Sequence, residues 1–494
     1  MSPLPSSVGS FIGIDLGTSS LKAILVDDRQ RLLAAATRDL HVHRPEPLWA
    51  EQDPADWIEA ALSALRELRQ IAPAAFRGCR GIGLSGQMHG AVLLDQAGRP
   101  LRPCMLWNDG RSAAECAEIE TAEPASRDIT GNIAMPGFTA PKLLWVRRHE
   151  PDIFRRIQKV LLPKAYLRLA LTGEAVEEMS DAAGTLWLDV ASRDWSDRML
   201  AATGLDRSHV PGLVEGSQPA GRMQAELSRE LGFDTPPLFA GGAGDNAAGA
   251  VGLGAIAPGA SFLSLGTSGV LWRTTGRFEP RADSAVHAFC YALPGLWHQM
   301  SVHLSAAASL SWWARVTGCA ETDLLAPLGE RLDAPSPALF TPYLSGERTP
   351  HNDPRMRGGF ARLGHDTDRN TMTQAVMEGV AFSFRDGKAA LESAGSPIGE
   401  AIVIGGGSRS DLWLSILANV LDMPLHRHAA AETGAAFGAA RLARLACTGE
   451  DPREICLKPE GTPETFRPEP ALVAAYAARY PVWQRAAAFS RELQ

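Results

Sequence analysis

Residues 12–20 read IGIDLGTSS and continue as LKAILVD; residues 263–269 read LSLGTSG and continue as VLWRTT. Aligned on LGTS, both segments enter on apolar residues, turn on Gly-Thr-Ser and leave on an apolar run. That is the pattern of a β-hairpin. Asp15 and Ser264 hold the same place in the two copies and stand 249 positions apart, close to half of the 494 residues. The repeat predicts a duplicated α/β unit. Each copy presents a small-residue turn, Gly17, Thr18 and Ser19 in the first and Gly266 and Thr267 in the second. Backbone N–H groups in such turns suit phosphate oxygens, and the hydroxyls add donors. The copies differ at one position. A hard cation such as Mg2+ needs a carboxylate, and one suffices when water and phosphate supply the other oxygens. Asp15 offers one and Ser264 does not.

The order of elements on either side agrees. A strand is expected at 32–38, then a helix opening near Asp53 or Asp56 with Trp57, Ile58, Ala61, Leu62, Leu65 and Leu68 as its apolar stripe, then a strand at 81–84. The second half repeats this with a helix at 371–394 and a strand at 400–404. Strands alternating with helices predict an α/β class with mixed sheets. The cleft between the halves is the expected ligand site. The break falls within 236–244 and gives domains 11–241 and 242–485.

Composition removes several functions. The chain has 48 Lys+Arg against 56 Asp+Glu, a formal charge of −8. A nucleic-acid binder needs a basic face, so no nucleic-acid partner is expected. No stretch approaches the roughly 20 uninterrupted apolar residues of a membrane span, so no membrane is expected either. The 7 cysteines are odd in number and scattered, and none forms a CxxC. That argues against a disulfide framework and a zinc site, and for a reducing cytoplasm. Residues 1–10, MSPLPSSVGS, lack signal-peptide character and read as a short disordered leader.

Five segments carry candidate chemistry. GIGLSGQMHG at 81–90 is a strand ending in a loop with Gln87, Met88 and His89. His89 reads either as a donor to a polar small molecule or as a solvent-exposed loop histidine. MLWNDGR at 105–111 reads either as a wall for a sugar, with Trp107 as its apolar face, or as a surface Asp109–Arg111 pair at a turn. In AGGAGDNAAGAV at 240–251, Asp245 sits alone among small residues. It suits proton abstraction from a hydroxyl and equally suits an N-cap. IGGGSRSD at 404–411 places Gly405, Gly406 and Gly407 at a strand end, where backbone approaches a flat or anionic ligand closely. It matches neither the GxGxxG nor the GxxxxGK[ST] spacing. Gly434–Ala440 reads as a helix start packed tightly on another element.

Taken together, the pattern resembles the FGGY carbohydrate kinases of the actin/Hsp70/sugar-kinase superfamily, over roughly residues 11–445. The likeness rests on PLWAEQDP at 47–54, SGQMHG at 85–90, LWNDGR at 106–111 and ITGNIAMPGFTAPKLLWV at 129–146. It continues in MSDAAGTLWLDV at 179–190, GDNAAGAVGLG at 244–254, LSLGTSGV at 263–270 and YLSGERTPHNDP at 343–354. It implies two duplicated actin-like (ribonuclease H-like) domains with a ligand cleft between them. It implies ATP-dependent phosphorylation of a small-molecule sugar, D-xylulose, at its 5-hydroxyl, with ATP and Mg2+ bound. A different ketose or polyol, or a nucleotide switch on the same scaffold, is the alternative.

The resemblance also implies roles. Asp245 is the general base and Asn246 its sugar-contacting neighbour. Met88, His89 and Trp107 contact the ketose. Asp15 positions the metal. Gly17, Thr18, Ser19 and Lys22 serve the first phosphate turn, Gly266 and Thr267 the second, and Gly405–Gly407 the adenosine side. It leaves room for a homodimer. The departures are a longer leader, Ala243 where glycine is familiar, and ETGAAFGAA within 431–440 where a proline often follows the first glycine.

Overall fold

The structure is a computed structural model describing residues 9–393, 395, 397–428, 434–457 and 462–492. Most of the expected leader, Ala394 at the end of the expected helix, and residues 431–433 of the adenine-side region lie outside the described residues.

Both hairpins form. Ser10–Leu16 pairs antiparallel with Ser20–Asp27, and Ser261–Leu265 pairs antiparallel with Gly269–Thr275. Ile12, Ile14, Leu16, Leu21, Ala23 and Leu25 are fully buried. That is why the strands read as near-continuous apolar runs: the sheet is covered on both faces. Each hairpin is extended in the same way. A third strand, Leu32–Asp39 or Trp297–His303, adds antiparallel on one side. A parallel strand, Cys79–Gly86 or Ala401–Ile404, adds on the other. Beyond it lie a second parallel strand, Leu238–Ala240 or Leu425–Arg427, and an antiparallel edge, Pro219–Arg222 or Glu464–Phe466. The duplication legible in LGTS therefore runs through six strands of each sheet, and each sheet carries a seventh that the other lacks: Ala243–Gly244 beside Cys79–Gly86 in the first and His287–Cys290 at the edge of the second.

Helices follow the third strand in both halves. Pro54–Ile71 begins after Asp53, whose carboxylate accepts the Ala55 N–H, so Asp53 rather than Asp56 is the cap. Arg369–Glu392 opens two residues earlier than its apolar stripe suggested, because Asp368 caps it through the Thr371 N–H.

One helix ties the halves together. Gly434–Thr448 belongs to the second half of the chain yet lies on the first sheet. A methyl group at Gly13 or Gly83 would come within 1.8 Å of the carbonyl oxygen of Ala436 or Ala439. On its other side, a methyl at Gly438 would come within 1.8 Å of the Ala248 carbonyl, in the helix Asp245–Leu253. The small residues there let three layers stack at backbone distance, and so fix the helix that begins with Asp245. Among the described residues, no helix is long and apolar enough to cross a membrane.

Candidate active site

The site forms where adjacent parallel strands end. Asp15 stands opposite Ser85 in the register of Ser10–Leu16 against Cys79–Gly86. Ala243 and Gly244 pair with Ser85 and Gly86 on the next position across. Asp15 and Asp245 thus emerge at the same sheet end, the end at which open α/β sheets bind ligands. Ser85 Oγ donates to Asp15 Oδ1 at 2.8 Å, and Lys22 faces Asp15 across the hairpin. Burial raises the pKa of Asp15, with Ser85 and Lys22 opposing the shift. Burial, and next the negative charge of Asp15, push Asp245 up to about 6. Asp245 is not the N-cap. Gly244 holds that position, and Asp245 is the first residue of Asp245–Leu253. Its Oδ1 accepts from the Asn246 N–H at 2.7 Å and from Asn246 Nδ2 at 3.0 Å. Asn246 therefore spends its backbone N–H and one Nδ2 hydrogen on orienting the carboxylate, and keeps Oδ1 and its second Nδ2 hydrogen for other partners.

Met88 and His89 lie beside this pair. A methyl at Gly244 would fall 2.9 Å from Met88 Sδ, and one at Gly184 would fall 2.6 Å from His89 Nδ1. His89 is half-buried, not an exposed loop histidine. Its Nδ1 lies 2.6 Å from the Gly184 carbonyl oxygen, which can only accept, so Nδ1 carries the proton. Burial pulls its pKa down to about 3, so the ring stays neutral with a lone pair on Nε2. Contrary to the sequence-based expectation, its free nitrogen accepts a hydrogen bond and donates none. The backbone of His89 has φ +70, and its carbonyl is pinned by Lys142 Nζ at 2.9 Å and Thr139 Oγ1 at 3.1 Å. Lys142 is fully buried, and that burial lowers its pKa to about 7.

The first Gly-Thr-Ser turn is braced by side chains that its own sequence does not announce. Gln52 Nε2 donates to the Thr18 carbonyl at 2.7 Å, and Gln87 Nε2 donates to Gln52 Oε1 at 3.0 Å. Trp107 Nε1 donates to Thr18 Oγ1 at 2.9 Å, and that hydroxyl donates to Gln87 Oε1 at 3.3 Å. The Thr18 hydroxyl proton is thereby used within the protein, as is the Gly17 N–H, which donates to the Ser20 carbonyl at 3.0 Å; the N–H groups of Thr18 and Ser19 and the exposed Ser19 hydroxyl are the donors that remain. Trp107 is 45% exposed and sits against the Gly17–Ser19 turn.

In the second turn, the carbonyls of Gly266 and Thr267 accept from the N–H groups of Ala307 and Ala306. The glycine triplet divides its work. Methyl groups at Gly405 and Gly407 would meet Leu265 at 2.7 and 2.5 Å, whereas one at Gly406 meets nothing within 4 Å. Two of the glycines seat the strand end against the second turn, and Gly406 alone faces open space. Beside it is a cavity of about 730 Å³ lined by Ser264, Gly405, Gly406, Ser408, Arg427 and Glu464 among others.

Two other charged groups are structural. Asp109 and Arg111 form a buried pair, not a surface one. Arg111 bonds Asp109 Oδ2 at 2.6 Å and Glu51 Oε1 at 2.7 Å, with its guanidinium 3.5 Å from the Trp49 ring centroid. Glu177, Glu178 and Asp181 cluster closely enough to hold a metal ion. Lys164 Nζ already lies among them, 2.5 Å from Glu177, 3.4 Å from Asp181 and 3.6 Å from Glu178. Ser180 in this cluster accepts the Gly244 N–H at 3.1 Å and so supports the Asp245 loop. Lys164→Met is expected to destabilise the fold by about 3–5 kcal/mol, because it strands buried carboxylates. A urea melt within 1 kcal/mol of wild type would contradict this. By contrast, Asp15 and Asp245 form no described ion pair within 4 Å, and their oxygens suit a hard cation.

The chain matches the model of the FGGY family of carbohydrate kinases, N-terminal domain, over residues 10–252 and the C-terminal domain over 262–447. It is 48% identical to the xylulose kinase of Escherichia coli K12 over 96% of this chain and 98% of that protein. It superposes on a crystal structure described as a xyloylose kinase from Brucella ovis with a TM-score of 0.96 and 53% identity, covering 98% of this chain and all of the other. The crystal structure of xylulose kinase from Rhodospirillum rubrum gives a TM-score of 0.90 at 28% identity, covering 98% and 99%.

Proposed function

The chain belongs to the FGGY family of carbohydrate kinases, and from that premise we propose that it transfers the γ-phosphoryl group of ATP to the 5-hydroxyl of D-xylulose. The observation that carries this reading is the pair Asp15 and Asp245. They are two carboxylates at one sheet end, one beside a phosphate turn and the other beside Met88 and His89. The N-terminal half, 11–241, holds the ketose and the first phosphate turn; the C-terminal half, 242–485, holds the second turn and the adenosine near Gly406.

The steps asked of the protein are modest. The amides of Thr18, Ser19 and Thr267 hold phosphate oxygens in line with the acceptor hydroxyl. Positioning of this kind, with charge stabilisation, supplies most of the catalysis in phosphoryl transfer. Asp245, aligned by Asn246, takes the 5-hydroxyl proton as the P–O bond forms. Asp15 would hold Mg2+, which supplies positive charge to the phosphate oxygens. Met88 covers the apolar edge of the sugar, and His89 Nε2 accepts from one of its hydroxyls. The cysteines are all free thiols, as suits a cytoplasmic enzyme.

A coupled assay of ADP release over a panel of D-xylulose, D-ribulose, L-fuculose, D-gluconate, xylitol and glycerol tests the assignment. D-xylulose is expected to give the highest kcat/KM. A higher value for any other member would move the substrate and leave the kinase.

A further inference from the structure

We infer that Arg348, reaching from the second half of the chain, is a substrate-binding residue that reads the carbonyl end of the ketose. This rests on the kinase reading above and adds a specificity device to the same site. Arg348 follows Glu347, whose buried carboxylate is engaged by other groups: its Oε1 accepts the backbone N–H groups of Leu304 at 3.0 Å and Arg348 at 2.8 Å, and its Oε2 lies 3.5 Å from Ser383 Oγ and 3.6 Å from His303 Nδ1. The guanidinium itself is held loosely. Among the described residues its one hydrogen-bond partner is His287 Nε2, at 3.5 Å.

The direction of that bond is fixed by the groups behind it. Asn132 Nδ2 donates to the carbonyls of Thr130 at 2.7 Å and Ala288 at 3.0 Å, so Asn132 Oδ1 is left to accept. It accepts from His287 Nδ1 at 3.0 Å, which leaves a lone pair on His287 Nε2 facing Arg348. A guanidinium carries five N–H donors in a fixed fork. A half-buried one with a single long bond keeps donors within reach of a ligand.

The ligand is placed by the order of groups. Gly244, the residue before Asp245, packs on Met88, Met88 precedes His89 in the chain, and the His89 ring packs on Phe138 at 4.7 Å. Phe138 in turn lies 5.7 Å from the ring of His287, which touches Arg348. A ketose with its 5-hydroxyl at Asp245 therefore extends its other end past His89 towards Arg348. That end carries the carbonyl, an oxygen that accepts and never donates. His89 Nε2 accepts from a hydroxyl and Arg348 donates to the carbonyl. A polyol presents a hydroxyl there instead, whose own proton finds no acceptor on a guanidinium.

The test compares D-xylulose with xylitol, which differ at that carbon, in wild type, Arg348→Met and Arg348→Lys. Wild type must first turn over D-xylulose; if it does not, the kinase assignment fails and not this inference. Given activity, Arg348→Met is expected to raise the KM for D-xylulose at least tenfold, with the KM for ATP within twofold of wild type. The kcat/KM preference for D-xylulose over xylitol is expected to fall about tenfold, the scale of one hydrogen bond to a charged donor. Arg348→Lys keeps a charged donor but loses the fork, so it is expected to recover part of the KM and less of the preference. If Arg348→Met does not fold, the preference of Arg348→Lys decides alone, and a ratio equal to wild type overturns the inference. So does a parallel loss on both substrates, or a fall in kcat with both KM values unchanged.

Discussion

Asp245→Ala is expected to lower kcat by roughly 10²–10⁴, about 3–5 kcal/mol of transition-state stabilisation, while D-xylulose still binds within a few-fold of wild type. The argument is local. Asp245 has no described ion-pair partner, and its hydrogen bonds come from its own neighbour Asn246. The carboxylate therefore costs the fold its desolvation and gains little in return. Its pKa of about 6 suits a base that must be ionised at neutral pH and still take a proton. Two further readouts follow from that value. The deprotonated form is the active one, so wild-type kcat/KM for the sugar should rise about tenfold per pH unit up to near 6 and then level. A native pKa above the unfolded one favours the fold only below the ionisation range and opposes it above. Asp245→Asn should accordingly melt at or above the wild-type temperature at pH 7.5 while losing turnover. Turnover near wild type in either variant would remove Asp245 from the chemistry; a large drop in melting temperature would reassign it to stability.

The parts of this site that were legible in the sequence are those whose chemistry is written in consecutive residues. A Gly-Thr-Ser turn between apolar runs must reverse the chain, so LGTS located both hairpins, and Asp15 marked the one that carries a carboxylate. Asp245 stood out because nothing near it in sequence balances its charge. The residues that escaped act through contacts between distant segments. Gln52 and Gln87 meet only when the loop after the strand Cys79–Gly86 folds against the short strand Glu51–Gln52. Ser180 and Gly244 are joined across the helix–strand boundary of two separate motifs. Asp109 and Arg111 looked like an exposed pair because charged residues at a turn usually are. Trp49 and Trp145 cover them, and neither lies near them in sequence. The three glycines at 405–407 looked equivalent, and only the position of Leu265 separates the open one from the packed two. Arg348 was visible only as one charge within YLSGERTPHNDP; what marks it out is its single long bond to His287.

Asp15→Asn is expected to lower turnover by roughly two to three orders of magnitude and to raise the Mg2+ concentration needed for half-maximal rate, since a metal ion contributes several kcal/mol to such transition states. The substitution keeps size and keeps an oxygen able to accept from Ser85 Oγ, so the strand pairing beneath it is preserved. What it removes is one negative charge beside a phosphate turn. That charge acts on its neighbour as well. Asp15 is the second cause, after burial, of the raised pKa of Asp245, so its neutralisation should move the acid limb of kcat/KM to lower pH. The two effects separate two roles for the residue. If Asp15 only sets the electrostatics of Asp245, the acid limb shifts and the Mg2+ titration stays where it was. If it also holds the cation, both move, and turnover falls even at pH 8, where Asp245 is ionised in either protein. An unchanged Mg2+ titration would therefore remove the metal from Asp15 and leave the coupling between the two carboxylates as its contribution to the site.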